Sequence, residues 1–62
     1  MKRRDLIKHL EIHSCFFVRE GGNHTVYKNI LNGSYSTIPR HTEIKKNLVR
    51  KICKDLEIPS PV

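Results

Sequence analysis

The sequence predicts an α+β domain with the element order α-β-β-β-α, in which a three-stranded antiparallel sheet carries two helices on one face. Three observations predict it: apolar residues recur with helical spacing near both ends of the 62-residue chain, short aromatic and β-branched runs fill the middle, and glycine-containing turns separate those runs. Packing both helices against the same side of the sheet is the compact way to bury the apolar faces.

The first helix is predicted from about Arg3 to His13. Leu6, Leu10 and His13 fall on one side of such a helix, at i, i+4 and i+7, while the charged residues between them point away. We expect Ser14 to end the helix.

A β-hairpin is predicted over residues 15–29. Cys15–Glu20 is short and rich in aromatic and β-branched residues, which is typical of a strand. Gly21-Gly22-Asn23 is a strong turn signal, and His24–Asn29 then forms the second strand.

A third short strand follows another tight turn. Asn32 and Gly33 both tolerate positive φ, so together they mark that turn. Tyr35–Ile38 then forms the strand, which Pro39 stops because proline has no N–H to donate.

The second helix is predicted from an apolar residue at every fourth position in the last third of the chain: Ile44, Leu48, Ile52 and Leu56. Its start is open, because either Thr42 or Asn47 could cap it. Glu57 stands in place of the glycine that often follows a helix, and Ile58-Pro59 ends the pattern.

Residues 1–59 are interpreted as one domain and residues 60–62 as a disordered tail. The basic start of the chain is not followed by an apolar run, so we expect no secretory segment, no membrane span and a cytoplasmic location. Cys15 and Cys53 lack the paired spacing of a zinc site and are expected to be small buried hydrophobes. We expect neither a metal nor a cofactor.

The charge balance favours a polyanionic partner. Twelve Lys and Arg against six Asp and Glu give a formal net charge of +6, which suits nucleic acid or an acidic membrane surface. A solvated basic surface is the alternative. The second helix carries a basic row opposite its apolar side: Lys46, Arg50 and Lys54. This row could contact phosphate or could simply be a solvated face.

The turn from Gly21 to His24 is the candidate working site. Glycine lets a sugar-phosphate backbone approach closely, and exposed N–H groups of a turn, here around Gly22 and Asn23, can hold a phosphate. A histidine beside a phosphodiester can exchange protons near neutral pH. RNA cleavage without a metal then requires only that the 2′-OH attack the adjacent phosphorus while cations stabilise the developing charge.

Further residues of the hairpin and its neighbouring strand are candidates for RNA contacts. Arg19, Lys28 and Arg40 are the nearest cations to the turn. Tyr27 could stack on a base or donate a hydrogen bond.

The alternative is a turn with no further role. Strand alternation places His24 on the same face as Val26, which is expected to be buried. A bulge at the glycines, or a position of His24 at the rim of the sheet, would remove that conflict.

The other histidines are weaker candidates. His9 and His13 are one helical turn apart but lack a third metal ligand, so packing at the surface or core edge is expected. His41 could lie near the site or near the start of the second helix, and an exposed loop position is the preferred interpretation.

Four stretches of the chain resemble the HicA toxins of bacterial and archaeal type II toxin–antitoxin modules. They are Met1–Leu10, Val18–Tyr27, Ser36–His41 and Leu48–Leu56. Each is a weak signal alone, but four in this order within 62 residues are specific and span nearly the whole chain.

This resemblance implies a double-stranded-RNA-binding-domain-like fold and a ribosome-independent mRNA interferase, an endonuclease that stalls growth by cutting transcripts. The family's catalytic histidine, in its G-[S/N]-H segment, corresponds to His24, and the glycine of that segment corresponds to Gly22. The implied partner is a HicB-like antitoxin, which covers the histidine and often represses its own operon through a DNA-binding domain.

Two residues depart from the family pattern. Ser14 stands where members usually have glycine, and Asn23 stands where many have serine. The first costs a little at the helix end, because serine accepts the left-handed conformation poorly, and the second leaves His24 in place. The alternatives from other functional classes are a non-catalytic module that binds structured RNA and a small adaptor that binds only protein.

Overall fold

The computed structural model describes all residues, 1–62, and has the predicted order of elements. Helix α1 spans Arg3–Ile12 and helix α2 spans Lys46–Asp55. Between them lie β1 (Cys15–Gly21), β2 (His24–Asn29) and β3 (Tyr35–Pro39). The α-β-β-β-α prediction is confirmed. Neither helix is both long enough and apolar enough to cross a membrane.

The strands form an antiparallel sheet of order β1-β2-β3, with β2 in the centre. A β-bulge in β1 lies between Phe17 and Arg19, and beyond it the register is regular to Gly21, which pairs with His24. The predicted alternative of a bulge at the glycines is therefore wrong. The bulge occurs two to four residues earlier, where β1 is an edge strand and can bend without disturbing a second neighbour.

Both helices pack on the same face of the sheet, as predicted. Side chains from all five elements and the segment before α2 form one core cluster: Leu6, Leu10, Cys15, Tyr27, Ile38, Ile44, Val49, Ile52, Cys53 and Leu56. Cys15 and Cys53 are buried free thiols, and burial raises the pKa of both. Their predicted role as small buried hydrophobes is confirmed.

The face of β2 that meets the helices carries Tyr27, so Val26 points to the opposite, open face. The expectation that Val26 is buried is confirmed, although its side chain lies outside the core cluster that the helices cover. Val26 is only 8% exposed, because it sits in the central strand between its cross-strand neighbours Arg19 and Thr37.

Both helices end on a non-glycine residue with positive φ. Ser14 follows α1 with φ of 64°, and Glu57 follows α2 with φ of 58°. After α2, the N–H of Glu57 donates to the Lys54 carbonyl (3.0 Å) and the N–H of Ile58 donates to the Cys53 carbonyl (2.9 Å). These are the hydrogen bonds of a Schellman motif, so the predicted helix ends are confirmed.

The start of α2 differs from both predicted caps. The helix begins at Lys46 without a side-chain cap, so neither Thr42 nor Asn47 fills that role. The preceding segment stays extended because it pairs with the beginning of the chain, where Lys2 and Glu43 form an antiparallel bridge. This pairing docks the start of α1 against the segment that follows β3.

Candidate active site

His24 is the first residue of β2 and lies at one end of the sheet. It follows a two-residue turn, Gly22-Asn23, in which Gly22 has φ of 60°. Glycine at the first position of a two-residue hairpin turn suits the type II′ conformation. No atom lies within 4 Å of the place where a Cβ on Gly22 would be. The outer side of the turn is therefore open to a ligand.

This end of the sheet carries a shallow depression, the histidine depression. Its lining consists of Asn23, His24, Pro39, Arg40 and His41. The β2–β3 pairing sets His24 opposite Pro39, so the residues that follow Pro39 come beside it. Three of the sequence-predicted site residues are thus brought together, and His41, whose position the sequence left open, joins them.

Both imidazoles of the histidine depression are exposed. The histidine ring that hydrogen-bonds within the chain is that of His9, whose Nε2 lies 2.7 Å from the carbonyl oxygen of Pro59. His24 lies at the rim of the sheet on the open face. A rim position was one of the two arrangements expected to leave His24 exposed although it shares a face with the buried Val26. The rings of His24 and His41 are accordingly available to a ligand.

Arg40 is held by a row of polar side chains under the histidine depression. Its guanidinium pairs with one carboxylate oxygen of Glu20, and the other oxygen accepts a hydrogen bond from Thr25 Oγ1 at 3.0 Å. Arg3 completes the row, because its Nη2 donates to Thr25 Oγ1 (3.1 Å) and its Nε donates to the Pro39 carbonyl (2.9 Å). Helix α1 is thereby tied directly to β2 and β3 at this end of the sheet, and Thr25 links β2 to Glu20 in β1.

The carboxylate of Glu20 responds to these neighbours. The hydrogen bond from Arg40 is the largest cause that lowers its pKa below the ordinary value of 4.5, and the hydroxyl of Thr25 and the charge of Arg3 add to it. Glu20 therefore stays ionised and holds Arg40 at the edge of the depression. Arg40 itself keeps about half of its side-chain surface exposed, at 54%.

Arg19 reaches the same face of the sheet because of the bulge in β1. It pairs with Val26, on the side of β2 that also carries His24. A Cβ on Gly21 would lie 3.2 Å from Arg19 Nη1. The missing side chain at Gly21 thus leaves room for the guanidinium to lie back toward the turn.

Tyr27 and Lys28 were also predicted to contact RNA, and neither lines the histidine depression. Tyr27 is 7% exposed in the helix-covered core, and burial is the main cause that raises the pKa of its phenol. Its ring meets Phe17 edge to face, with centroids 6.4 Å apart. Lys28 lies about 13 Å further along β2 than His24, with its Nζ 5.4 Å from the centre of the Tyr35 ring.

Sequence reasoning missed a second depression next to the start of α1, the basic depression. It is lined by Lys2, Arg3, Arg4, Arg40 and Thr42. Arg40 belongs to both depressions, so positive charge continues from the beginning of α1 to His24. The basic run at positions 2–4 was a visible signal, but the sequence did not indicate that it would meet Arg40.

The remaining candidates lie outside both depressions. His9 on α1 and His13, which directly follows the helix, are neighbours, with ring centroids 4.6 Å apart. The basic row of α2 is exposed to solvent: Lys46, Arg50 and Lys54. No group of three or more His, Cys, Asp or Glu side chains is placed to hold a metal ion.

The histidine depression can support acid–base chemistry on an anion. An imidazole changes its charge near neutral pH, while the guanidinium of Arg40 keeps its charge and can face a phosphate. The open turn at Gly22 admits a bulky backbone. These are the parts that phosphodiester cleavage requires when the nucleophile belongs to the substrate.

Comparison with known proteins gives one match. The family model described as "HicA toxin of bacterial toxin-antitoxin" matches residues 3–58, which is most of the chain. The matched range contains all five elements and both depressions apart from Lys2. No curated protein and no solved structure matches the chain significantly.

Proposed function

The chain belongs to the HicA toxin family of toxin–antitoxin systems, and we propose that it is a metal-independent mRNA interferase, an RNA endonuclease with His24 as its catalytic residue. The observation that carries the proposal is the exposed imidazole of His24 in a depression that also holds Arg40, beside an open glycine turn. Acting on transcripts, the protein would work in the cytoplasm.

RNA supplies its own nucleophile to such a site. The 2′-OH attacks the neighbouring phosphorus, and His24 exchanges a proton with one of the oxygens involved. An imidazole suits this step because both of its protonation states are populated near neutral pH. General acid–base catalysis of this kind contributes about 10²–10⁴-fold to a rate.

The cations around His24 would hold the phosphate and stabilise its developing charge. Arg40 is fixed at the edge of the histidine depression by Glu20, and Arg19 lies on the same face of the sheet. The N–H groups of the Gly22-Asn23 turn add uncharged donors. A guanidinium presents several N–H donors in a fixed plane, which matches the oxygens of a phosphate.

We also propose that a HicB-like antitoxin neutralises the protein by covering His24. The exposure of His24 and Arg40 leaves this end of the sheet open to a protein partner. The edge strand β1 offers a second region of contact, because Phe16, Phe17 and Val18 are 42%, 56% and 41% exposed. Edge strands present unpaired backbone groups and commonly accept a strand from a partner.

Expression in bacteria tests the toxin and its catalyst together. The chain alone is expected to arrest growth, and His24→Ala is expected to restore growth while still binding the antitoxin. His13→Ala is the matched control, because His13 lies at the C-terminal end of α1, outside both depressions, and it should remain toxic. If His24→Ala arrests growth as strongly as the unchanged chain does, His24 is not the catalytic residue.

A non-catalytic RNA-binding module is the second candidate function, and the basic depression favours it. Phosphate contacts there would make the affinity for RNA depend strongly on salt. Each lost contact reduces the magnitude of the negative slope of log K against log[salt] by about 0.7–0.9. Arg4→Ala is therefore expected to flatten the slope. Salt-dependent binding of RNA that stays intact would favour this candidate over the enzyme.

A further inference from the structure

The histidine depression contains a second acid–base group, His41, to which no role has been assigned so far. Besides His24, its lining consists of Asn23, Pro39, Arg40 and His41. The first two have no titrating side chain, and a guanidinium does not give up its proton in proteins. His41 is thus the other side chain of the depression that can act as a proton donor or acceptor.

The remaining acid–base groups of the hairpin are engaged elsewhere. The phenol of Tyr27 is buried on the helix-covered face, and Lys28 lies over the Tyr35 ring. The carboxylate of Glu20 is occupied on both oxygens, by Arg40 and by Thr25. None of the three lines the histidine depression.

The backbone on both sides of His41 is fixed by a single residue. Arg3 Nε donates to the carbonyl of Pro39 at 2.9 Å, and the backbone N–H of Arg3 donates to the carbonyl of Thr42 at 2.8 Å. Pro39 also pairs with His24 in the sheet. The short segment that carries His41 is therefore held against the end of β2 rather than left as a free loop.

We propose that His41 is a second catalytic residue, which acts with His24 as an acid–base pair in RNA cleavage. This inference rests on the proposed function. One imidazole takes the proton of the 2′-OH as the bond from O2′ to phosphorus forms. The other, protonated, gives its proton to O5′ as the bond from phosphorus to O5′ breaks. The products are a 2′,3′-cyclic phosphate and a 5′-hydroxyl, and no other reactant is consumed.

The test compares His24→Ala and His41→Ala on two forms of one RNA oligonucleotide that the unchanged protein cuts. The first form is ordinary RNA. The second has sulfur in place of the bridging O5′ at the cut position, and sulfur leaves as a thiolate without needing a proton. His41→Gln serves as a second variant that retains polarity but cannot titrate, and His13→Ala is the control.

On ordinary RNA, both alanine variants are expected to lose about 10²–10⁴-fold in kcat/KM. On the sulfur-containing RNA, the variant that lacks the acid should regain most of its rate, whereas the variant that lacks the base should not. The bell-shaped pH profile of the unchanged protein should lose one limb in His41→Ala and in His41→Gln. Circular dichroism melting should give the same Tm for the His24 and His41 variants as for the unchanged protein, since both of these histidines are exposed.

Three outcomes would overturn the pairing. His41→Ala could cut ordinary RNA as fast as His13→Ala does. The sulfur substitution could rescue neither histidine variant, or the profile of His41→Ala could keep both limbs, as expected of a group that only binds phosphate. In these cases His24 and the proposed function stand. If the unchanged protein cuts no RNA, the proposed function fails, and the pairing fails with it.

Discussion

The two turns of the sheet are alike in sequence and differ in what surrounds them. Gly22-Asn23 joins β1 to β2, and Asn32-Gly33 lies between β2 and β3. Gly22 and Gly33 have φ of 60° and 80°, and each has open space where a Cβ would be. The turn residues alone therefore do not distinguish a functional turn from a structural one.

The hydrogen bonds of the two turns make the distinction. Near the second turn, Asn29 Nδ2 donates to the Leu56 carbonyl at 2.9 Å and Asn32 Nδ2 donates to the same carbonyl at 3.3 Å. These bonds satisfy the end of α2 and dock it on the sheet. At the first turn, His24 and His41 line an open depression instead. One turn is tied to the end of α2, and the other leaves its neighbouring side chains exposed in an open depression.

The largest effect on stability is expected from Asn29→Ala at the second turn. Asn29 is 3% exposed, and its amide also accepts a hydrogen bond from the N–H of Leu31 at 2.9 Å. Losing both bonds in a buried place should lower the free energy of unfolding by about 2 kcal/mol. Asn23→Ala at the first turn is the matched control and should change it by about 0.5 kcal/mol or less. If urea denaturation shows that both variants lose the same free energy of unfolding, the two turns do not differ in how much they stabilise the fold.

An intermediate effect is expected from an alanine at either turn glycine. A left-handed backbone costs an alanine about 1 kcal/mol, so Gly22→Ala and Gly33→Ala should destabilise the chain by similar amounts in urea denaturation. Only Gly22→Ala should also slow RNA cleavage, measured at a temperature where both variants are folded. A similar loss of cleavage by Gly33→Ala would mean that the two turns do not differ in function.

The smallest effect is expected from Glu20→Gln, and it depends on pH. The pKa of Glu20 is lowered in the folded chain, chiefly by the hydrogen bond from Arg40. Its stabilisation is therefore fully present above the ordinary pKa of 4.5 and is lost as pH falls through the folded value. Unfolding free energies of the unchanged protein and Glu20→Gln should converge below that pH.

Arg40→Ala provides the control for that pH dependence. In the Arg40→Ala protein, Glu20 lacks its main partner. Adding Glu20→Gln should therefore alter the pH dependence of the free energy of unfolding much less than it does in the unchanged protein. An undiminished difference would show that Arg40 is not the group that keeps Glu20 ionised.

Much of the fold follows from the sequence because local periodicity decides it. The helical spacing and the glycine turns predict all five elements and the packing of both helices on one face. The bulge in β1, the open-face position of Val26 and the start of α2 do not follow, because each depends on pairing between distant segments. The bridge between Lys2 and Glu43, for instance, sets where α2 begins.

The candidate site was predictable only along the hairpin. His24, Asn23 and Arg40 are close because β2 pairs with β3, which the turn signals predict. The contributions of Arg3 and His41 depend on how the start of α1 docks on the end of β3, through a hydrogen bond between residues 36 positions apart. No local pattern in the sequence encodes that contact.

Purified protein, RNA and EDTA together test the proposal that His24 is the catalytic residue of a metal-independent RNA endonuclease. The unchanged chain and His13→Ala are expected to yield fragments that end in a 2′,3′-cyclic phosphate. His24→Ala is expected to cut at least about 10²-fold more slowly. Cleavage by His24→Ala at the unchanged rate would remove His24 as the catalyst, and cleavage that appears only when Mg²⁺ is restored would show that the reaction needs a metal.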